Sequence, residues 1–377
     1  MFYGVGSMRG LALEGGGAKG AYHIGVTQAL MENGYEFDGF VGTSIGALNA
    51  AMMAQGDFEE LLELWQNLTM DKIFDRDILS KIISDKGIGT EKMRGILEHY
   101  IDEDKVRGSG KDFGLVTLSI NDRKPYKLML EDIPPGQLID FIMASASLPG
   151  FKVETSSGAS FLDGAFYDNC PYGLLCDKGY DEVIAIRTNA PGFFRKVRDA
   201  RVKVISPREN LGPLLQISPK RSKANIRLGY YDGLRFVRGL RGMSYYILPV
   251  DSDIFHPMLM SLGDDIILGA GKVLGLGEMP AKRMLFEKII PQLSAYLKLG
   301  INYDYPDFII ALLERAAVKR GIERFRIYNY EQLLELVNES PVAEKERKLS
   351  LIPESGILSQ KKTAIELLTA GLLLIKS

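Results

Sequence analysis

Two glycine-rich turns stand close together near the start of the chain, Glu14-Gly15-Gly16-Gly17-Ala18-Lys19-Gly20 and Gly42-Thr43-Ser44-Ile45-Gly46. Each follows an apolar run (Leu11 to Leu13; Phe37 to Val41) and precedes a helix-like run (Ala21 to Met31; Ile45 to Ala54), so both read as strand-to-helix turns. Two such units in succession commit the chain to an α/β architecture. The second turn has the G-x-S-x-G spacing, in which a serine sits on a strained elbow and glycines let the flanking strand and helix come close. The first offers successive backbone N–H groups, unobstructed by side chains, to a developing oxyanion. Further along, Phe161-Leu162-Asp163-Gly164-Ala165 delivers a carboxylate from an apolar strand end into a glycine turn.

These three motifs, in this order, resemble the patatin-like phospholipases. That family carries a D-G-G-G-x-[RK]-G oxyanion loop, a G-x-S-x-G elbow and a D-G-[GA] motif. Glu14 replaces the usual first Asp, and Ala165 the commoner second Gly. The stretch Ala144-Ser145-Ala146-Ser147-Leu148-Pro149-Gly150 is similar to the family's segment before the aspartate, and the resemblance covers roughly Leu11 to Pro171. It implies a lipid acyl hydrolase, a phospholipase A or lysophospholipase, with a Ser44–Asp163 dyad. Gly15, Gly16, Gly17 and the N–H of Ile45 would form the oxyanion hole, and Lys19 would attract a lipid phosphate. No metal or cofactor is expected.

The remaining pattern agrees. Runs at Phe113–Ile120, Tyr126–Leu130, Ala159–Leu162, Glu182–Arg187 and Val202–Ser206 read as further strands between helices, giving a three-layer α/β/α sandwich. A catalytic domain over 1–250 is expected, with a helical, lid-like insertion at about 57–107, followed by a mostly helical region over 251–377. Within the latter, Leu262 to Pro280 is punctuated by Gly and Pro and reads as irregular. The two cysteines, Cys170 and Cys176, supply neither a disulfide framework nor a metal site. A formal net charge of −2 argues against a nucleic-acid partner. No apolar run is long enough to span a membrane, and the N-terminus has no signal-peptide pattern, so a cytoplasmic, peripherally membrane-bound enzyme is expected. The near-neutral total hides a basic segment. Arg195 to Arg241 holds thirteen Lys or Arg against three acids, interleaved with Tyr230, Tyr231, Phe236 and Leu240, and reads as a contact for anionic membrane.

Two other classes fit parts of the pattern. Gly15-x-Gly17-x-x-Gly20 matches a dinucleotide fingerprint formally, but Gly42-Thr43-Ser44 occupies the strand end where an NAD(P) enzyme places its acidic residue. A non-catalytic lipid- or partner-binding module would keep the same fold. Among the three histidines only His256 follows both Ser44 and Asp163, and the elbow comes after too few strands for an α/β-hydrolase triad. His23, His99 and His256 are therefore expected to be structural.

Overall fold

The computed structural model describes residues 7–73, 88–147, 151–152, 161–196, 198–342 and 357–375. Parts of the expected insertion (74–87), of the segment before the aspartate (148–150) and of the Ala159–Leu162 strand (159–160) lie outside them. The chain divides into two compact units, residues 1–237 and 238–377.

The first unit is built on a seven-stranded mixed sheet. In chain order its main elements are β1 (Arg9–Leu13), α1 (Ala21–Glu32), β2 (Gly39–Gly42), α2 (Ile45–Ala54), α3 (Phe58–Asn67), α4 (Glu91–Tyr100), β3 (Asp112–Ser119), β4 (Lys124–Met129), α5 (Leu138–Ser145), β5 (Phe161–Asp163), α6 (Tyr172–Asp177), β6 (Glu182–Ile186), β7 (Val202–Ile205) and α7 (Pro219–Arg238). The strand order is β4-β3-β2-β1-β6-β7, with β5 also on β3. The five strands from β3 to β7 in that order run parallel, while β4 and β5 are antiparallel to β3.

The central strands are apolar on both faces, as strands covered on both sides must be. Ala12, Val41, Val183 and Ala185 pack with Tyr172 and Leu175 of α6. The alternate residues Leu11, Leu13 and Ile184 are also fully buried, and α2 packs against β1, β2 and β3. The three-layer α/β/α expectation is met. Helix α1 meets α7 at backbone contact: a Cβ on Gly25 would lie 1.9 Å from the Ile226 carbonyl oxygen, and one on Gly229 2.3 Å from that of Tyr22. The Tyr22 hydroxyl, donating to Asp232 at 2.9 Å, locks the crossing.

Register sets the site. Strand β2 ends at Gly42, opposite Leu115, and β5 ends at Asp163, opposite Thr117 two residues further along β3. Because β4 occupies the other edge of β3, β2 and β5 share one edge and meet nearly end to end. The turn after Gly42 thus faces Asp163.

The second unit has its own apolar core, contributed by α8 (Asp264–Val273), a helical run over residues 281–297, α9 (Tyr305–Arg320), α10 (Tyr330–Glu339) and α11 (Ile357–Leu374). Strands β8 (Tyr246–Ile247) and β9 (Ile327–Tyr328) pair in it, so the division falls after Val237 rather than near Val250. The stretch expected to be irregular contains α8. Its aspartates Asp264 and Asp265 suit a helix N-terminus, and Ile267 and Ala270, one turn apart, are fully buried, a periodicity the glycines obscure. Among the described residues no helix is long and apolar enough to cross a membrane.

Candidate active site

The G-x-S-x-G turn is a strained elbow. Ser44 has φ 57° and ψ −125°, a left-handed backbone that a residue with a side chain adopts only when its surroundings enforce it. The glycines allow the enforcement: a Cβ on Gly42 would sit 2.2 Å from the Gly46 carbonyl, and one on Gly46 2.3 Å from the Leu13 carbonyl oxygen. Three further contacts pin the turn. The Thr43 hydroxyl donates to the Asp168 carbonyl at 2.8 Å. The Ser44 N–H donates to Ser145 Oγ at 2.9 Å, and the Ser145 hydroxyl donates to the Val116 carbonyl at 2.7 Å.

Asp163 is 1% exposed. Its carboxylate accepts the Ala165 N–H at 2.8 Å and lies close enough to the Ser44 hydroxyl for that group to act on its pKa. Burial pushes its pKa up from 3.8 to about 6, against the smaller opposing pull of the Ala165 N–H and the Ser44 hydroxyl. The Asp163 carboxylate is therefore a mild base beside the Ser44 hydroxyl, largely unprotonated at neutral pH.

The glycine loop is tied down by its own backbone. Gly15 donates its N–H to the Asn169 carbonyl at 2.9 Å, and Ala18 donates to the Leu214 carbonyl at 2.7 Å. Gly15 is thus a correction to the expected oxyanion hole, since its N–H is already spent on the chain. The N–H groups of Gly16, Gly17 and Ile45 have no partner among the described residues. Gly17 and Ile45 line the same cavity as Ser44. Glu14, the departure from the family motif, is fully buried and pairs with Arg187 at 3.0 Å, anchoring the loop to the end of β6.

Lys19 is also placed differently from expectation. Its side chain is largely buried, its ammonium donates to the Asn189 carbonyl at 3.3 Å, and it does not line the Ser44 cavity. Burial lowers its pKa, with Glu14 opposing. It serves the loop rather than a ligand phosphate.

The cavity beside Ser44 is apolar. Leu48, Leu64, Trp65, Ile96, Leu97 and Ile142 line it, so helices of the expected 57–107 insertion form much of its wall. Beneath the elbow lies a buried network absent from any motif. Asn49 on α2 donates to the Gly20 carbonyl at 3.1 Å, faces His23 Nδ1 at 3.2 Å and accepts from Trp65 Nε1 at 2.9 Å. It joins the glycine-loop helix, the elbow helix and the cavity wall. Complete burial lowers the His23 pKa from 6.5 to about 3, so the ring stays neutral. His99 is exposed with its ring against Tyr100, and His256 stacks on Phe286 in the second unit.

Residues 11–175 match the family model for patatin-like phospholipase. The chain carries a patatin-like phospholipase domain. The match includes Ser44, Asp163 and the whole glycine loop of that patatin-like domain. Similar proteins include an uncharacterized NTE family protein of Mycobacterium tuberculosis, 31% identical over 48% of this chain and 48% of that one. Lysophospholipase nte1 of Emericella nidulans is 28% identical over 64% of this chain and 16% of that one. The chain therefore matches about half the length of the mycobacterial relative and far less of the fungal one. Among solved structures, VipD from Legionella pneumophila aligns over 98% of this chain and 92% of its own at 13% identity, with a TM-score of 0.40.

The basic segment is less free than its composition implies. Arg195, Arg201, Lys203, Arg235 and Arg241 form ion pairs with Asp168, Asp199, Glu182, Asp232 and Asp304 respectively. Leu240 is buried, the Tyr230 hydroxyl donates to Glu32, and the Phe236 ring lies against Tyr35. The interleaved aromatics thus partner the protein itself. Lys196, Arg198, Lys220, Lys223 and Arg227 remain exposed.

Proposed function

We propose that the protein is a serine lipid acyl hydrolase that cleaves carboxylic esters of membrane phospholipid or lysophospholipid as a peripheral protein. The observation that carries this reading is the Ser44 hydroxyl, held on a strained elbow beside a buried carboxylate whose pKa lies near 6. Ser44 Oγ attacks the ester carbonyl while Asp163 takes its proton. The N–H groups of Gly16, Gly17 and Ile45 stabilise the oxyanion, where one donor is worth about 3 kcal/mol of barrier. As the tetrahedral intermediate collapses, Asp163 returns the proton to the departing alcohol and leaves an acyl-Ser44. Water, deprotonated by Asp163, then attacks the acyl carbon, and the fatty acid leaves as Ser44 recovers its proton.

The cavity supports an acyl chain as its occupant. At about 90 Å³ it is much smaller than the roughly 300 Å³ at which ordinary ligand pockets begin, so it takes part of one acyl chain at most. Similarity to a protein named as a lysophospholipase supports the same class of substrate.

Fluorophosphonate labelling with peptide mapping, beside hydrolysis of mono- and diacyl phospholipids by wild type, Ser44→Ala and Asp163→Asn, tests the reading. Labelling is expected at Ser44, with both variants inactive. Substantial turnover by Ser44→Ala would refute the nucleophile assignment. An unlabelled, inactive wild type that still binds lipid would mean a non-catalytic module.

A further inference from the structure

Two aromatic rings stand in solvent beside the candidate base. Phe166 and Phe193 are 53% and 70% exposed, whereas Phe37, Phe40 and Phe113 of the same unit are buried and Phe58, Phe141, Phe161, Phe194 and Phe236 half-buried. They lie on different loops, yet the backbone fastens them together. The Phe193 N–H donates to the Ala165 carbonyl at 2.8 Å, and the Phe193 carbonyl accepts from Asn169 at 2.7 Å. Ala165 is the residue whose own N–H donates to the Asp163 carboxylate at 2.8 Å. The rings therefore belong to a fixed platform one peptide away from the Asp163 carboxylate.

Single exposed apolar side chains need no explanation, but a paired, anchored aromatic tip does. Its surroundings are basic. The guanidinium of Arg195 and the ammonium of Lys127 lie 4.7 and 5.7 Å from the centre of the Tyr167 ring, next in sequence to Phe166. Exposed Lys196 and Arg198 follow on the Phe193 loop, with no carboxylate partner among the described residues. The acids nearest in sequence are already paired, buried Asp168 with Arg195 and half-buried Asp199 with Arg201.

We infer that Phe166 and Phe193 are the bilayer-contacting tip of this protein, with Lys127, Lys196 and Arg198 set against anionic headgroups. The occupant is a lipid surface because apolar tips ringed by cations match an acyl boundary beneath anionic headgroups. The inference rests on the proposed lipid substrate and adds how the dyad reaches it: docking by the tip presses the Ser44–Asp163 end of the sheet to the membrane. It replaces the aromatics of the basic segment, which face the protein, by two that face outward.

The test uses full-length Ser44→Ala, so that binding is read without turnover and survives any failure of the nucleophile assignment. Sedimentation with vesicles of phosphatidylcholine, with and without phosphatidylglycerol, gives the partition coefficient. Phe166→Ser with Phe193→Ser is expected to lower it about a hundredfold, roughly tenfold per ring at about half the transfer free energy of a buried Phe. Replacing both rings by Leu should restore most of the binding. Lys196→Ser and Arg198→Ser should each cost about fivefold, only on anionic vesicles and less as salt rises. Met31→Ser removes another exposed apolar side chain, 46% exposed at the end of α1, and should change nothing. Unaltered partitioning of the double Ser variant, an equal loss in Met31→Ser, or a loss confined to Lys220→Ser and Lys223→Ser would each overturn the assignment.

Discussion

Asp163→Asn should make the protein more stable while removing its base. Desolvation raises the Asp163 pKa from 3.8 to about 6, so the folded state holds this carboxyl proton more tightly than the unfolded chain does. Stability from this group is fully present below pH 3.8 and is lost as pH rises through about 6. At 1.36 kcal/mol per pH unit, the ionised carboxylate costs the fold about 3 kcal/mol at pH 8 and about 1 kcal/mol at pH 4.5. Asparagine never ionises, is nearly isosteric, and keeps an oxygen for the Ala165 N–H. Its amide can donate to Ser44 Oγ. Urea unfolding of both proteins at pH 8 should therefore show the variant ahead by up to about 3 kcal/mol, with the gap narrowing by about 2 kcal/mol at pH 4.5. A gain that is the same at both pH values, or a variant less stable than wild type at pH 8, would refute the claim that Asp163 is held charged against its burial. The same displacement predicts an ascending limb near pH 6 in the kcat/KM profile of the wild type.

Ser145→Ala leaves the Ser44 N–H without its acceptor beneath the strained elbow, and it should lower kcat and the rate of fluorophosphonate labelling about tenfold, from about 1–3 kcal/mol for an unpaired buried donor; labelling at the wild-type rate would show that the elbow holds without it. Gly46→Ala forces a Cβ to 2.3 Å from the Leu13 carbonyl oxygen, so the elbow must open and activity should fall to background, checked by labelling and by circular dichroism. Trp65 is the chain's single tryptophan and lines the Ser44 cavity. Fatty acid added to Ser44→Ala should shift its emission saturably, and a silent tryptophan alongside measured fatty-acid binding would place the acyl chain elsewhere.

The features legible in the sequence are those whose causes are local. A strand-to-helix elbow needs its glycines within two residues of the serine, because the colliding atoms belong to the turn itself and to the strand beside it. Spacing alone therefore marked Ser44, and the same reasoning marked the Asp163-Gly164 turn at a strand end. Apolar runs with β-branched residues revealed strands buried on both faces. Burial and pairing among distant residues left no comparable trace. Ser145 reaches the Ser44 N–H across 101 positions of chain, and its one sequence signal is a serine among small residues ending an apolar helix. The Asn49 network, the withdrawal of the Gly15 N–H by Asn169 and the inward ammonium of Lys19 likewise depend on which strands are neighbours. So does the neutralisation of the basic segment: a charge count sums what the chain carries, whereas only the packed sheet sets Lys203 and Arg9 on the same Glu182. Turn chemistry is written in neighbouring residues, and the tertiary fold alone decides which polar groups remain free to act.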